Sequence, residues 1–311
     1  PFSNSDSIGV SIAFALNDVR SGATAYLDHI DLQSSGNVSV IALNNAVLTA
    51  DLSTAASASG GSKFGGGTVI AGGALVATNV VQGSTEAYVT NSSLGNATTP
   101  IGGDITISAT NSSSLTANLL SEISTGDTAV GVVLSFNSIG FDSQNLLFNI
   151  VDTLIGTAAL GDLSDADATA YVENTTVTVT GAFSVLAEAS ANLLTTLSNG
   201  VGSEAGAITG ATGGTGGVVL SSNLVNSAAV AYIDSDATDP ETEANIVITA
   251  GSVSVSATNG GSIDAGVELS AESETANTNP FSNSDSIGVS IAFALNDVRS
   301  GATAYLDHID L

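Results

Sequence analysis

PFSNSDSIGVSIAFALNDVRSGATAYLDHIDL, residues 1–32, returns letter for letter as residues 280–311. Pro1 recurs as Pro280, so the period is 279, and the 311-residue sequence holds one period and the opening of another. Identity over that length is not chance. It predicts a piece of a longer tandem array, in which each repeat stacks on the next. The expected organisation is one repeat over 1–279, with 280–311 as the start of the next identical repeat.

The quoted stretch ends on a motif that recurs inside the period. All five tyrosines lie in it: Ala25-Tyr26-Leu27, Ala87-Tyr88-Val89, Ala170-Tyr171-Val172, Ala231-Tyr232-Ile233 and Ala304-Tyr305-Leu306. Counted from one Tyr to the next, the spacings are 62, 83, 61 and 73. An Asn lies nine residues before four of them (Asn17, Asn79, Asn223, Asn296), with Val19, Val81, Val225 and Val298 two further on. In the 83-residue unit the matching pair is Asn137 and Ile139, which implies an insertion of roughly 25 residues. After each complete motif come a Gly and an alternating run: Gly36 with Val38 and Val40, Gly103 with Ile105 and Ile107, Gly181 with Phe183 and Val185, Gly251 with Val253 and Val255. Four diverged sub-units, ending near Tyr26, Tyr88, Tyr171 and Tyr232, thus make one period.

The alternation names the secondary structure, because successive strand side chains point to opposite faces. The residue two after each Tyr is Asp28, Thr90, Glu173, Asp234 or Asp307, always polar. Ala25 and Leu27 are therefore expected inside, and Tyr26 outside. Short strands parted by Gly, Asn, Ser and Asp predict an all-β parallel β-solenoid. A unit of about 60 residues is expected to hold three coils of roughly 20 residues, or roughly 12 coils per period. Tyrosines three coils apart would then stand about 15 Å from one another.

Composition narrows the partners. Thirty acids stand against three bases, a net charge of −27. Removing the four acids and one base of the second copy leaves −24 per period. On 12 coils that charge is spread over about 58 Å. It argues against nucleic acid, anionic polysaccharides and anionic membranes, and favours divalent counter-ions. There is no Cys, so neither disulfides nor thiolate ligands contribute. The longest apolar stretch, Thr68 to Val81, is too short to span a bilayer.

Departures from the repeat mark candidate sites. Residues 141–160 have near-helical apolar spacing and predict a short amphipathic helix packed over a face or end of the stack. Asp234, Asp236 and Asp239 crowd one acidic loop and are a candidate Ca²⁺ site, the oxygen donors being suited to a hard cation. Asp162, Asp165 and Asp167 form a weaker set of the same kind. The Gly-rich stretches 60–67 and 210–217 lack the phosphate-loop Lys and are expected as turns. Tyr26, Tyr88, Tyr171 and Tyr232 are candidate interaction residues, in an outward row that either covers apolar surface or makes lateral contacts. Asn37, Asn91, Asn111 and Asn174 sit in glycosylation sequons. Catalysis has little to use. Each period has one His, His29 (repeated as His308), and the chain has no HExxH, GxSxG or Cys–His pair. No enzyme is expected; a carbohydrate-active β-helix enzyme is the remote alternative.

The recurring pattern, an Asn and Val ahead of Ala-Tyr-[Leu/Val/Ile] and then Gly-x-[Val/Ile]-x-[Val/Ile]-x-Ala, is carried by Asn17, Val19, Ala25, Tyr26, Leu27, Gly36, Val38, Val40 and Ala42 and by their counterparts from Asn79 to Ala109. It resembles the repeats of giant bacterial surface proteins related to filamentous haemagglutinins and large exoproteins. The resemblance implies secretion, a right-handed β-helix and a role in adhesion or surface architecture. The helix-like insertion and the long unbroken period depart from that pattern. The expected function is an extracellular, cell-surface fibre or stalk whose partners are its own neighbouring repeats or fibres. The alternative is an adhesin that grips a cell-surface receptor or glycan through its Tyr face and insertion loops.

Overall fold

The computed structural model describes residues 6–60, 67–140, 166–207, 212–235, 246–277 and 285–311. Among them the structure is all-β, with no helix. The helix expected over 141–160 lies outside the described residues, as do Asp162, Asp165, Asp236 and Asp239.

Each sequence unit runs through the same succession of strands. The first unit forms β1 (Ser7–Arg20), β2 (Ala23–Asp28), β3 (Asp31–Leu32) and β4 (Val38–Ala58). The second forms β5 (Val69–Gln82), β6 (Thr85–Thr90), β7 (Ser93–Leu94) and β8 (Ile105–Thr125). The third forms β9 (Thr128–Ile139), β10 (Ala168–Glu173), β11 (Thr176–Thr178) and β12 (Ala182–Ala207). The fourth forms β13 (Thr212–Asp234), β14 (Ile246–Thr249) and β15 (Ser252–Asn277), and the second copy of residues 1–32 adds β16 (Asp285–Leu306) and β17 (Ile309–Asp310).

Equivalent strands pair in parallel and form three curled sheets. A face sheet holds β1, β2, β5, β6, β9, β10, β13 and β16; an end sheet holds β3, β7, β11, β14 and β17; a return sheet holds β4, β8, β12 and β15. Paired residues are 58 to 86 positions apart, as in Ile70 with Thr128 and Thr128 with Gly214. The expectation of three coils per unit, and of roughly 12 per period, is therefore corrected. One unit supplies one layer, and a period has four. The reason is strand length. The return strands run 21 to 26 residues, several times the usual ~5–6, so the alternation within a unit belongs to a few long strands rather than to many short ones.

The 83-residue unit keeps this register. Val81 and Thr85 pair with Ile139 and Ala168, so 4 positions on one strand face 29 on the other. The ladder stops at Ile139, next to Gly140, whose φ of 60° suits glycine, and resumes at Ala168.

The core lies between the face and return sheets and is apolar in three zones. At the end-sheet side, Ala87, Val89, Leu94, Ile105, Ile107, Ala170, Val172 and Phe183 pack together. Midway, Leu75, Leu115, Val133, Leu193, Leu197 and Val219 do so. At the far side, Val69, Ala71, Ile123, Ala129 and Val201 close the stack. Ala25 and Leu27 face inward and Tyr26 outward, as the alternation predicts. The Gly-rich stretch expected as a turn over 210–217 is strand from Thr212 onward. Its Gly217 points inward, where an added Cβ would stand 2.7 Å from Leu269 Cδ1. At Gly131, in the next layer down, a Cβ would stand 2.7 Å from Asn199 Oδ1 and 2.8 Å from Val201 Cγ2. Side chains of the return sheet fill the space a Cβ would take at these two positions, whereas Ser11 and Ser290 hold the same register position in the outermost layers.

Two asparagine columns cross the core. Asn17, Asn79, Asn137, Asn223 and Asn296 are in register, and each amide donates 2.8 Å to the carbonyl oxygen of the next. An amide carries both donor and acceptor, so identical Asn residues stacked at strand spacing satisfy one another. Around Asn137 the hydroxyls of Ser135 and Thr195 accept at 2.9 and 3.1 Å. The second column, Asn44, Asn111 and Asn259, ties the return sheet to the backbone of the face sheet. Asn111 Nδ2 donates to the Gly83 and Asp167 carbonyls at 2.6 and 3.1 Å, and Asn259 Nδ2 to the Gly301 carbonyl at 3.0 Å. Gly83 and Asp167 lie where the face ladder is interrupted, between β5 and β6 and just before β10, whereas the β13–β16 ladder runs unbroken past Gly301. Asn111, one of the sequon asparagines, is 1% exposed, so its amide is spent on this clasp and closed to glycosylation.

Asn137→Ala strands the Asn79 amide and removes one donor from Asn223. It should lower unfolding free energy by about 2–4 kcal/mol, whereas Asn17→Ala, at the end of the column, should cost about 1 kcal/mol. Urea unfolding of the two variants checks this. Equal, small losses would mean that the column carries no stability.

Candidate functional site

The outward side of the face sheet gathers the candidate residues. Tyr26, Tyr88, Tyr171, Tyr232 and Tyr305 occupy one register position. Their ring centroids are 4.9–5.1 Å apart and their planes lie within 1–10° of parallel. The wider spacing expected from three coils per unit is corrected along with the number of layers, and the row becomes a continuous stack. Parallel in-register pairing forces this arrangement, since each ring has an identical ring one strand away. The interior rings thus turn both faces to neighbours, leaving edges and hydroxyls outward. Only Tyr26 and Tyr305, the end rings of this stack, keep a free face.

Carboxylates fringe the column. On one side the register position runs Asp28, Thr90, Glu173, Asp234, and on the other Glu86 stands in the second layer. Tyr232 Oη donates 2.7 Å to Glu173 Oε1. Loss of solvent, then the nearby Glu86 or Glu173, pushes the Tyr88, Tyr171 and Tyr232 phenols above their ordinary value of 10.0.

Past the column the chain turns through left-handed residues: His29 (φ 53°), Asn91 (49°), Asn174 (49°) and His308 (52°). Asn and His are among the residues that tolerate this region, which gives His29 a conformational role. His29 Nδ1 lies 2.6 Å from Asp28 Oδ1, and the Thr90 hydroxyl donates 2.8 Å to the same oxygen. These contacts, His29 first, hold the Asp28 carboxyl below its usual range. At the boundary between the fourth layer and the second copy, His308 Nδ1 is 3.2 Å from Asp307 and 3.6 Å from Asp234. Asp234 is the described member of the predicted Ca²⁺ loop. The structure groups it with Asp307 and His308, whose ligand atoms all lie within 4.8 Å. Imidazole with two carboxylates suits a zinc-like ion better than Ca²⁺, which prefers oxygen alone. Asp167, the described member of the weaker acidic set, accepts the Ala228 N–H at 2.8 Å and serves the bend instead.

The largest outward feature was missed in the sequence. In β1 the inward residues are Ser7, Gly9, Ser11, Ala13 and Ala15, and the outward ones are Ile8, Val10, Ile12, Phe14 and Leu16. The usual polarity is inverted. Ile8, Val10 and Ile12 are 72%, 68% and 74% exposed. Layers two to four continue the field through Ile70, Val130 and Val218, all exposed, and β16 repeats it. Toward the bend the outward side carries a buried cluster around Val80 and Phe136. The signal was present in SIGVSIAFAL, where Gly, Ser and Ala alternate with bulky residues. In β1 it is the small side that packs against the return sheet, with Gly9 close on the Ser57 backbone.

Among the described residues no helix is long and apolar enough to cross a membrane. Comparison with protein-family models, curated proteins and solved structures finds no match to this chain.

Because the folded state holds phenol protons that the unfolded chain gives up near pH 10, the tyrosine stack should contribute its full stability below that pH and lose it as pH rises further. Tyrosinate absorbance should therefore lag an unfolded control and appear together with loss of β circular dichroism. Ordinary titration near pH 10 with the fold intact would contradict it.

Proposed function

We propose that this chain is a section of an extracellular filament or stalk, built as a parallel β-solenoid of tandem repeats, with four layers to each 279-residue period. One observation carries this. β16 and β17 have the sequence of β1 to β3, and they seat on β13 and β14 in register, while β1 itself receives β5 on its other edge. The same layer thus has a fitted neighbour on both sides, its fourth-layer neighbour shown by one copy and its second-layer neighbour by the other. Such a layer lets the stack continue from period to period without a cap. The inward asparagines form a ladder along the stack, and the chain has only three basic residues, which supports a structural role over an enzymatic one.

An adhesin is the second reading, favoured by the exposed apolar field rather than by the Tyr column, whose interior rings are spent on each other. Cations enter as counter-ions. Four layers at ~4.8 Å advance the axis by about 19 Å, so −24 charges are concentrated into that rise.

Electron microscopy or small-angle scattering of arrays with increasing repeat number should show a length increment of about 19 Å per period. Increments of about 58 Å, the rise of 12 coils, or compact particles would refute the four-layer solenoid. Ca²⁺ or Mg²⁺ should raise the melting midpoint more than Na⁺ at equal ionic strength, and EDTA should reverse the gain. An unmoved midpoint would remove divalent ions from this account.

A further inference from the structure

We propose that the apolar field on the outward side of the face sheet is a lateral docking surface, and that its occupant is the same field on a second copy of this chain. The proposal rests on the filament reading above and identifies the surface through which filaments pair.

Parallel sheets are almost always covered on both faces. Here the inward face is covered by the return sheet, whereas Ile8, Val10, Ile12 and Phe14 are at least half exposed. The interior layers, paired on both edges, keep the field open at Ile70, Val130 and Val218, which are 37%, 46% and 36% exposed. The field therefore continues through the interior of the described stack.

Charge points to a like partner. The chain carries −27, yet no outward position between the columns of Ile8 and Leu16 is charged in any layer. The bordering charges are Asp6 on one side and the Asp18–Arg20 ion pair on the other, the latter closed at 3.0 Å. Two copies of so acidic a molecule repel everywhere except across a charge-free field. A basic partner would find nothing there to recognise.

Shape agrees. A side chain at Gly72 would meet nothing within 4 Å, and one at Gly216 would have Val130 Cγ2 as its nearest neighbour at 4.0 Å. Both glycines face outward, in the second and fourth layers. The first-layer residues Ile8, Val10, Ile12 and Phe14 therefore stand as a ridge, and hollows lie one layer to either side. Such a surface is complementary to itself, because the ridge of one copy can enter the hollow of another. In the interior layers the column of Leu16 is buried (Thr78, Phe136 and Ser222), so the exposed field runs from the column of Ile8 to that of Phe14 and measures about 20 Å by about 24 Å, or roughly 500 Å². A stable protein interface takes ~800 Å² per partner, which the field passes with a second period, since it grows with every one added.

The test uses the full chain and a variant with Ile12→Asp, Val130→Asp and Ile291→Asp, all outward and exposed. Sedimentation velocity across micromolar concentrations should show concentration-dependent dimers for the parent and at least about a hundredfold weaker association for the variant. Unchanged association in the variant, or a parent that stays monomeric throughout, overturns the proposal. The parent alone gives an independent readout. Sodium sulfate should strengthen an apolar contact, whereas association that dissolves as NaCl rises is held by charge and also overturns it. The axial increment per period is read separately. Filaments of normal increment that never pair defeat only the docking surface, whereas a wrong increment defeats the solenoid itself.

Discussion

Parallel pairing in register governs this molecule. It sets each residue about 4.8 Å from its counterpart in the next unit, so a side chain is tolerated only if it can live beside a near copy of itself. Asparagine can, because its amide is both donor and acceptor, and the buried column from Asn17 to Asn296 follows. Tyrosine can, by offset stacking. Small aliphatic residues can, by close packing. Inward charges cannot, and the acids are accordingly outward or at turns. The few inward substitutions that break a column mark local events. Ala189 stands where Asn44, Asn111 and Asn259 stand in the other layers, and it does so in the layer that carries the insertion.

Much of this was legible in the sequence, for the same reason. Identical neighbours leave identical letters at matching positions, so the tyrosine spacing delimits the units, and Asn137 and Ile139 locate the insertion from the letters alone. What the letters do not carry is the path of the chain between them. Spacing alone does not separate a unit folded into three short coils from one stretched into a single broad layer. Strand length decides, and a run such as β12, with 26 residues, passes through Asn, Ser and Gly that ordinarily signal turns. Several of them find partners in adjacent layers, Ser190 with Ser112, Asn192 with Ser262 and Ser203 with Ser273.

The candidate site was legible in part. The Tyr column was visible as an outward row, but its stacking depended on the number of layers. The trio of Asp234, Asp307 and His308 was hidden, because it joins residues 73 and 74 positions apart across a boundary between layers. The apolar field was hidden by convention. Bulky residues are usually assigned inward, and here the inward face of β1 takes Ser, Gly and Ala so that the two sheets can close on each other. Hydrophobicity indicated which residues share a face, but not which face is inside.

The breadth of each layer has a mechanical consequence. A return strand of 21 residues spans about 70 Å, yet a whole period advances the axis by only about 19 Å; the same chain in one α-helix would reach about 420 Å. As a spacer this is a wasteful use of chain. As a plank it is economical. A body several times wider than it is thick resists flexing in its own plane far more than across it. Tension along its axis falls on whole rows of backbone hydrogen bonds that share the load, so a layer must yield along its full width or hold.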